Sequence, residues 1–271
     1  MKIIEQKNIG IKNSNSELGF DTTGGTHWEV WDRFLTYKNK PLFHIGNICG
    51  TCNFFFNKKE IKIDNKFTSK QISTLLNKGI VNLKESEING ISKIIPNGNY
   101  EVLITEIQPK ISFPNDRNDY FVTDLFESWN KEYAIDSEAN IPYYRGLSKL
   151  IKGNEKLFEF FIPIFHTNSL NEKRVKEYEQ MLLNGEKPTA LCLGILDVKM
   201  SMVYPEINGE EVTPYTTTHW CFANYIIDGH HKMMAANNLQ KPITLITFIS
   251  KDQSWKLVDE MIIELKNEPE K

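Results

Sequence analysis

The residues best suited to chemistry stand together in Tyr225-Ile-Ile-Asp-Gly-His-His-Lys-Met-Met-Ala-Ala236, where an apolar run ends at Asp228-Gly229 and a helical pattern begins at once. The first turn of a helix leaves amide N–H groups unpaired, and the macrodipole adds partial positive charge there. Phosphate suits such a position. Gly229 lacks the side chain that would keep an anion away from the backbone. His230, His231 and Lys232 add donors on the first helical turn, so Gly229, His230, His231 and Lys232 are the expected phosphate-binding residues. Asp228, at the strand end, can hold a metal ion or accept a proton. An N-cap would also account for Asp before Gly. It would not account for three cation-capable side chains at one helix start.

A second group lies in Phe43-His-Ile-Gly-Asn-Ile-Cys-Gly-Thr-Cys-Asn53. Cys49 and Cys52, with His44 as a third ligand, have the spacing of a Zn²⁺ site. The same pair suits thiol–disulfide exchange, or a structural role without chemistry. No second CxxC or HxxxH supplies the remaining ligands, so the three readings stay open. Cys192 and Cys221 fall in apolar runs and read as buried small hydrophobes. His219 reads as structural or site-lining.

These residues need elements to position them. Leu157–Phe165 and Thr189–Val198 are apolar runs of strand length, as are Trp220–Ile227 and Pro242–Ile249. Ser169-Leu-Asn-Glu172 has the form of a capping box, followed by Val175, Tyr178 and Leu182 at helical spacing and by Gly185 as a stop. His230–Leu239 reads as a helix. Ser250-Lys-Asp-Gln253 is a second capping box, before a helix with Trp255, Val258, Ile262 and Leu265 on one face. The order strand–helix–strand–strand–helix–strand–helix is an α/β pattern. The first half is rich in Asn, Lys and aromatics, with strand-like pieces at Thr26–Trp31, Pro41–Ile45 and Tyr100–Ile107, and reads as irregular α+β. Polar stretches at 112–119 and 136–142 suggest a boundary, so residues 1–140 and 141–271 are the expected domains.

The 271 residues are 40% hydrophobic and 25% charged, the balance of a globular chain. No apolar run approaches membrane-spanning length, and Met1-Lys-Ile-Ile-Glu-Gln-Lys lacks the features of a secretory signal, so a cytoplasmic location is expected. Net charge is −3, and only four of the 32 basic residues are arginines, which argues against a nucleic-acid partner.

The stretch from Tyr225 to Leu239, followed by "KPITLITFI" and preceded by "NEKRVKEYEQMLLNG" and "KPTALCLGILDV", resembles the ParB/sulfiredoxin superfamily over the last two-fifths of the chain. The nearest pattern is the D-G-H-H-R branch, which includes a nucleotide-dependent free-serine kinase. That resemblance implies a C-terminal ParB/sulfiredoxin-like domain that binds ATP or ADP with Mg²⁺ and transfers phosphate to a small hydroxyl compound. It makes Asp228 catalytic and gives the phosphates to residues 229–232. Lys232 stands where the family has Arg, which keeps the charge but loses the bidentate fork. The family's catalytic glutamate has no clean counterpart. Glu172 is the nearest candidate, and His166 lies in the same part of the fold. Sulfiredoxin chemistry is not expected, because His230 replaces the cysteine it needs. ParB-type partitioning is not expected either, since one helix follows the last strand and no helix-turn-helix region does. The alternatives are a nucleotide sensor that does no chemistry and a nucleic-acid-processing protein of this fold, which the charge balance disfavours.

Overall fold

The computed structural model describes residues 1–24, 32–47, 57–63, 67–113, 142–152, 155–203, 206–207, 210–211, 213, 215–254 and 258–266. In chain order the elements are β1 (Lys2–Ile11), β2 (Leu18–Thr23), β3 (Asp32–Tyr37), β4 (Lys40–Asn47), β5 (Asn57–Lys58), α1 (Lys70–Lys78), α2 (Glu85–Ser92), β6 (Gly98–Ile107) and β7 (Lys110–Ser112). There follow β8 (Tyr143–Lys152), β9 (Glu155–Pro163), a 3-10 turn at Thr167–Ser169, α3 (Glu172–Leu183), β10 (Thr189–Val203), β11 (Glu206–Ile207) and β12 (Glu210–Glu211). The last are β13 (Tyr215–Asp228), α4 (His230–Leu239), β14 (Ile243–Ser250) and α5 (Val258–Lys266).

Eight strands form one mixed sheet in the order β1-β6-β14-β10-β13-β9-β8-β7. Two pairs in it are parallel, β14 with β10 and β13 with β9. Strand β14 (ITLITFIS) is buried at every position, as a strand covered on both faces must be. At the edge, β1 carries Lys2, Gln6, Lys7 and Asn8 on its exposed positions, which blunts further pairing. The molecule is a mixed α+β structure. The sheet takes strands from both sides of position 140, since β6 pairs with β14.

The smaller sheet β2-β3-β4-β5, together with α1 and α2, covers one face of the large sheet. Phe43 there meets Tyr225 at a ring separation of 5.0 Å. On the other face α3 and α4 pack over Phe161, Cys192, Ile226 and Leu245, while α5 packs over Leu157, Leu196, Phe222 and Ile249. Polar or glycine positions separate these two apolar groups on each strand: Glu159, Gly194, Asn224 and Thr247.

The expected apolar strands fall on β9, β10, β13, β14, β4 and β6, although β9 ends at Pro163, before the expected Phe165, and β14 begins at Ile243, after the expected Pro242. Helix α4 spans the expected His230–Leu239. Two capping expectations are corrected. Helix α3 is capped by Asn171, whose side chain accepts from the Arg174 amide, so Glu172 is the first helical residue and not the third. Ser169 sits in the 3-10 turn, its hydroxyl donating to the His166 carbonyl. Ser250 does accept from the Gln253 amide, but it closes a turn, and the described helix begins at Val258. Helices α1 and α2 have no counterpart in the sequence reading. The strand expected at Thr26–Trp31 lies outside the described residues.

Candidate functional site

Asp228 ends β13, and the chain turns into α4 through Gly229 at φ 106° and ψ 15°. A left-handed backbone is one reason for glycine. Packing is the other: a Cβ at this position would lie 2.5 Å from Ala190 Cβ and 2.8 Å from its Cα. The turn is pressed directly onto the start of β10. No side chain caps α4, and the amides of His230, His231 and Lys232 meet no acceptor among the described residues. The first turn is thus open to an anion from outside the fold.

The side chains of that turn are arranged differently from the outward array expected of the sequence. Lys232 is buried, 1% exposed, and its ammonium donates to the Thr189 carbonyl at 2.8 Å and to Asp228 Oδ1 at 3.4 Å. It also lies 5.6 Å from the centre of the Tyr178 ring. Burial lowers its pKa, and the charge of Asp228 and their hydrogen bond oppose that shift. Its charge therefore reaches the helix start from beneath.

His230 is buried too, and its Nε2 accepts the amides of Ile164 at 3.1 Å and Phe165 at 3.3 Å. The proton of the neutral ring therefore belongs on Nδ1. Desolvation pulls its pKa down to about 3 against the opposing charge of Asp228, with His231 and Lys58 adding to the fall. His231, half-buried, accepts the Asn171 amide on Nε2 at 3.1 Å, and burial and Arg174 lower its pKa. The two histidines tie α4 to the segment after β9 and to the start of α3.

Asp228 has two partners, one on α4 and one just before α1. Its Oδ1 faces Lys232, and its Oδ2 accepts from the Thr68 hydroxyl at 2.7 Å. Thr68 precedes α1, which Ser69 caps by accepting from the Ile72 amide. The starts of α1 and α4 therefore meet at one carboxylate, and the start of α3 joins α4 through His231.

Two cations that the sequence reading passed over belong to this group. Lys58 is the cross-strand neighbour of Phe43, so it shares the face that Phe43 turns to Tyr225 and the large sheet. Half-buried, it has its pKa lowered by desolvation. Arg174, exposed on the first turn of α3, acts electrostatically on both His231 and Lys232. Neither meets a carboxylate among the described residues. Phe165 stacks edge-on to His230 at 5.0 Å, and Phe67 lies 5.7 Å from Phe165, forming an aromatic wall beside the turn. Nothing in the local sequence around Lys58 or Phe67 marks them for this role, since the small sheet carries Lys58 there and the segment before α1 carries Phe67.

The remaining candidates are placed as follows. Glu172 is exposed at the first position of α3, next to the cap that contacts His231. His166 is exposed and caps the 3-10 turn, its Nδ1 accepting from the Asn168 amide at 3.1 Å. His219 is buried edge-on against Phe158 at 5.2 Å, nine positions back along β13, about 30 Å from Asp228. It does not line the site. His44 is buried and hydrogen-bonded to Asp32 Oδ1 at 2.7 Å. Cys49 and Cys52 lie outside the described residues. Among the described residues no group of three or more His, Cys, Asp or Glu could hold a metal ion. Among the described residues of the turn, Asp228 is the carboxylate that could meet a cation carried in on phosphate oxygens, the way Mg²⁺ is commonly held. A surface pocket of about 400 Å³ between α1 and α2 includes Ser69 but no residue of α4.

Fold and site together define a mixed α+β protein with an open helix start, two cations without an ion pair among the described residues, and one carboxylate at the end of a central strand. Comparison with protein-family models, curated proteins and solved structures finds no match for the chain.

Proposed function

We propose that the chain binds a nucleoside polyphosphate at the start of α4 and transfers its terminal phosphoryl group to a small hydroxyl compound. The observation that carries this reading is the uncapped α4 N-terminus, flanked by Lys58 and Arg174, with Asp228 beside it. The resemblance of the Asp228–Lys232 turn to the ParB/sulfiredoxin superfamily supports it, as does the order of the longer elements, β9-α3-β10-β13-α4-β14-α5, with the two-residue strands β11 and β12 between β10 and β13. In this reading the amides of residues 230–232 and the cations hold phosphate oxygens, and Asp228 orients the hydroxyl or the phosphate-borne Mg²⁺. Phosphoryl transfer asks mainly for such positioning and charge stabilisation. Phe67 and Phe165 offer an apolar surface for the rest of the nucleotide.

The test is a thermal-shift screen of ATP, ADP, CTP and GTP with Mg²⁺ on wild type, Lys58→Ala and Arg174→Ala. A ligand that binds only the folded state raises the midpoint with its concentration. The expected result is a rise in wild type that shrinks in both variants. Lys232→Ala is the poorer probe, because a buried ion pair would be broken in the same step. No rise with any nucleotide overturns the reading. Asp228→Asn should then keep the nucleotide shift and lose turnover. If the shift occurs but no nucleotide is consumed with any hydroxyl acceptor, the protein is a nucleotide sensor.

A further inference from the structure

One threonine hydroxyl stands where an acceptor would. Thr68 Oγ1 donates to Asp228 Oδ2 at 2.7 Å across 160 positions of sequence, and the same oxygen lies 2.9 Å from Ser73 Oγ. With the Thr68 proton directed at Asp228, Ser73 can donate to Thr68, which fixes the orientation of that lone pair. The opposite oxygen of Asp228 is held by Lys232 at 3.4 Å. Thr68 is half-buried and the Asp228 side chain is 19% exposed, so the pair borders solvent instead of being sealed in the core. The open α4 amides begin two residues after Asp228. A hydroxyl bonded to a carboxylate, beside a phosphate cradle, is the arrangement that phosphoryl transfer to an alcohol requires.

We infer that Thr68 is itself a phosphoryl acceptor, so that the protein phosphorylates its own chain; this rests on the nucleotide reading above. Thr68 Oγ1 attacks the γ-phosphorus of a bound nucleoside triphosphate, and its proton passes to Asp228 Oδ2. The bond from the γ-phosphorus to the β,γ-bridging oxygen breaks, and the nucleoside diphosphate leaves with that electron pair. The new phosphothreonine sits immediately before the cap of α1 and beside the start of α4, where two helix dipoles and Lys58 favour its added negative charge.

The experiment incubates the full-length protein with ATP and Mg²⁺, then reads intact mass and peptide fragmentation, with ATP thermal shift measured in parallel. One phosphoryl group on Thr68 is expected, lost in Thr68→Val and in Asp228→Asn and retained in Thr68→Ser and Ser73→Ala. Melting of each variant without nucleotide shows that it is folded, and Thr68→Ser guards against loss of the site's shape. An ATP shift without any phosphoryl group overturns the self-transfer and leaves the nucleotide reading standing. Phosphate found on Ser69 or Ser73 instead overturns the choice of Thr68. Neither shift nor label overturns both.

Discussion

At the scale of single residues, the site is built from groups whose neighbours have changed their usual behaviour. His230 is neutral because its ring is buried and its Nε2 already accepts two amides. Its folded pKa of about 3 lies below the ordinary 6.5, so the unfolded chain binds the extra proton first as pH falls. The stability that His230 contributes is therefore full above about pH 6.5 and lost progressively down to about pH 3. The melting temperature of wild type should fall across that window, and that of His230→Gln should fall less steeply. Equal slopes would refute the assignment. Lys58 and Arg174 present the opposite case, cations held near the helix start without a carboxylate partner among the described residues. Replacing either by alanine should weaken nucleotide binding about tenfold or more, the worth of a charge-assisted hydrogen bond. Titration calorimetry reads this directly, and the melting point without ligand should not drop, since no ion pair among the described residues is lost.

At the scale of elements, the geometry depends on how helices begin. Gly229→Ala would force a side chain into a left-handed backbone and against the Ala190 main chain. A loss of about 2–4 kcal/mol is expected in urea unfolding, the sum of a positive-φ penalty and a clash with backbone. A neutral outcome would mean that the α4 start can shift away from β10. Asn171 is the working cap of α3, so Asn171→Ala should cost about 1 kcal/mol. Ser169→Ala, which removes only a bond to the His166 carbonyl, should cost less by the same denaturation.

At the scale of the whole molecule, the large sheet welds the two halves of the chain together. Strand β14 is hydrogen-bonded to β10 on one side and to β6 on the other, so a fragment of residues 141–271 would expose one edge of a fully buried strand. Such an edge invites pairing between copies. The fragment should aggregate, as read by light scattering, while the full chain unfolds in one cooperative transition. A soluble, monomeric fragment that melts cooperatively would show the C-terminal half to be self-sufficient.

What the sequence determined by itself is whatever depends on near neighbours. Apolar runs marked the central strands, and the spacing of Val175, Tyr178 and Leu182 named the buried face of α3. The Asp228-Gly229 junction fixed the start of α4, because glycine is the residue that a left-handed turn against Ala190 demands. Tertiary structure alone decided where the charged side chains of that turn would point. A lysine three residues into an open helix reads as a surface cation, yet the close seating of Gly229 on β10 brings Lys232 over the Thr189 carbonyl and into the core. It also decided which parts of the first half reach the site. Thr68 meets Asp228 across 160 positions, and Lys58 arrives on a two-residue strand that has no periodicity to detect. Such contacts are set by how the small sheet and α1 pack on the large one, and local sequence patterns carry no record of packing between distant segments.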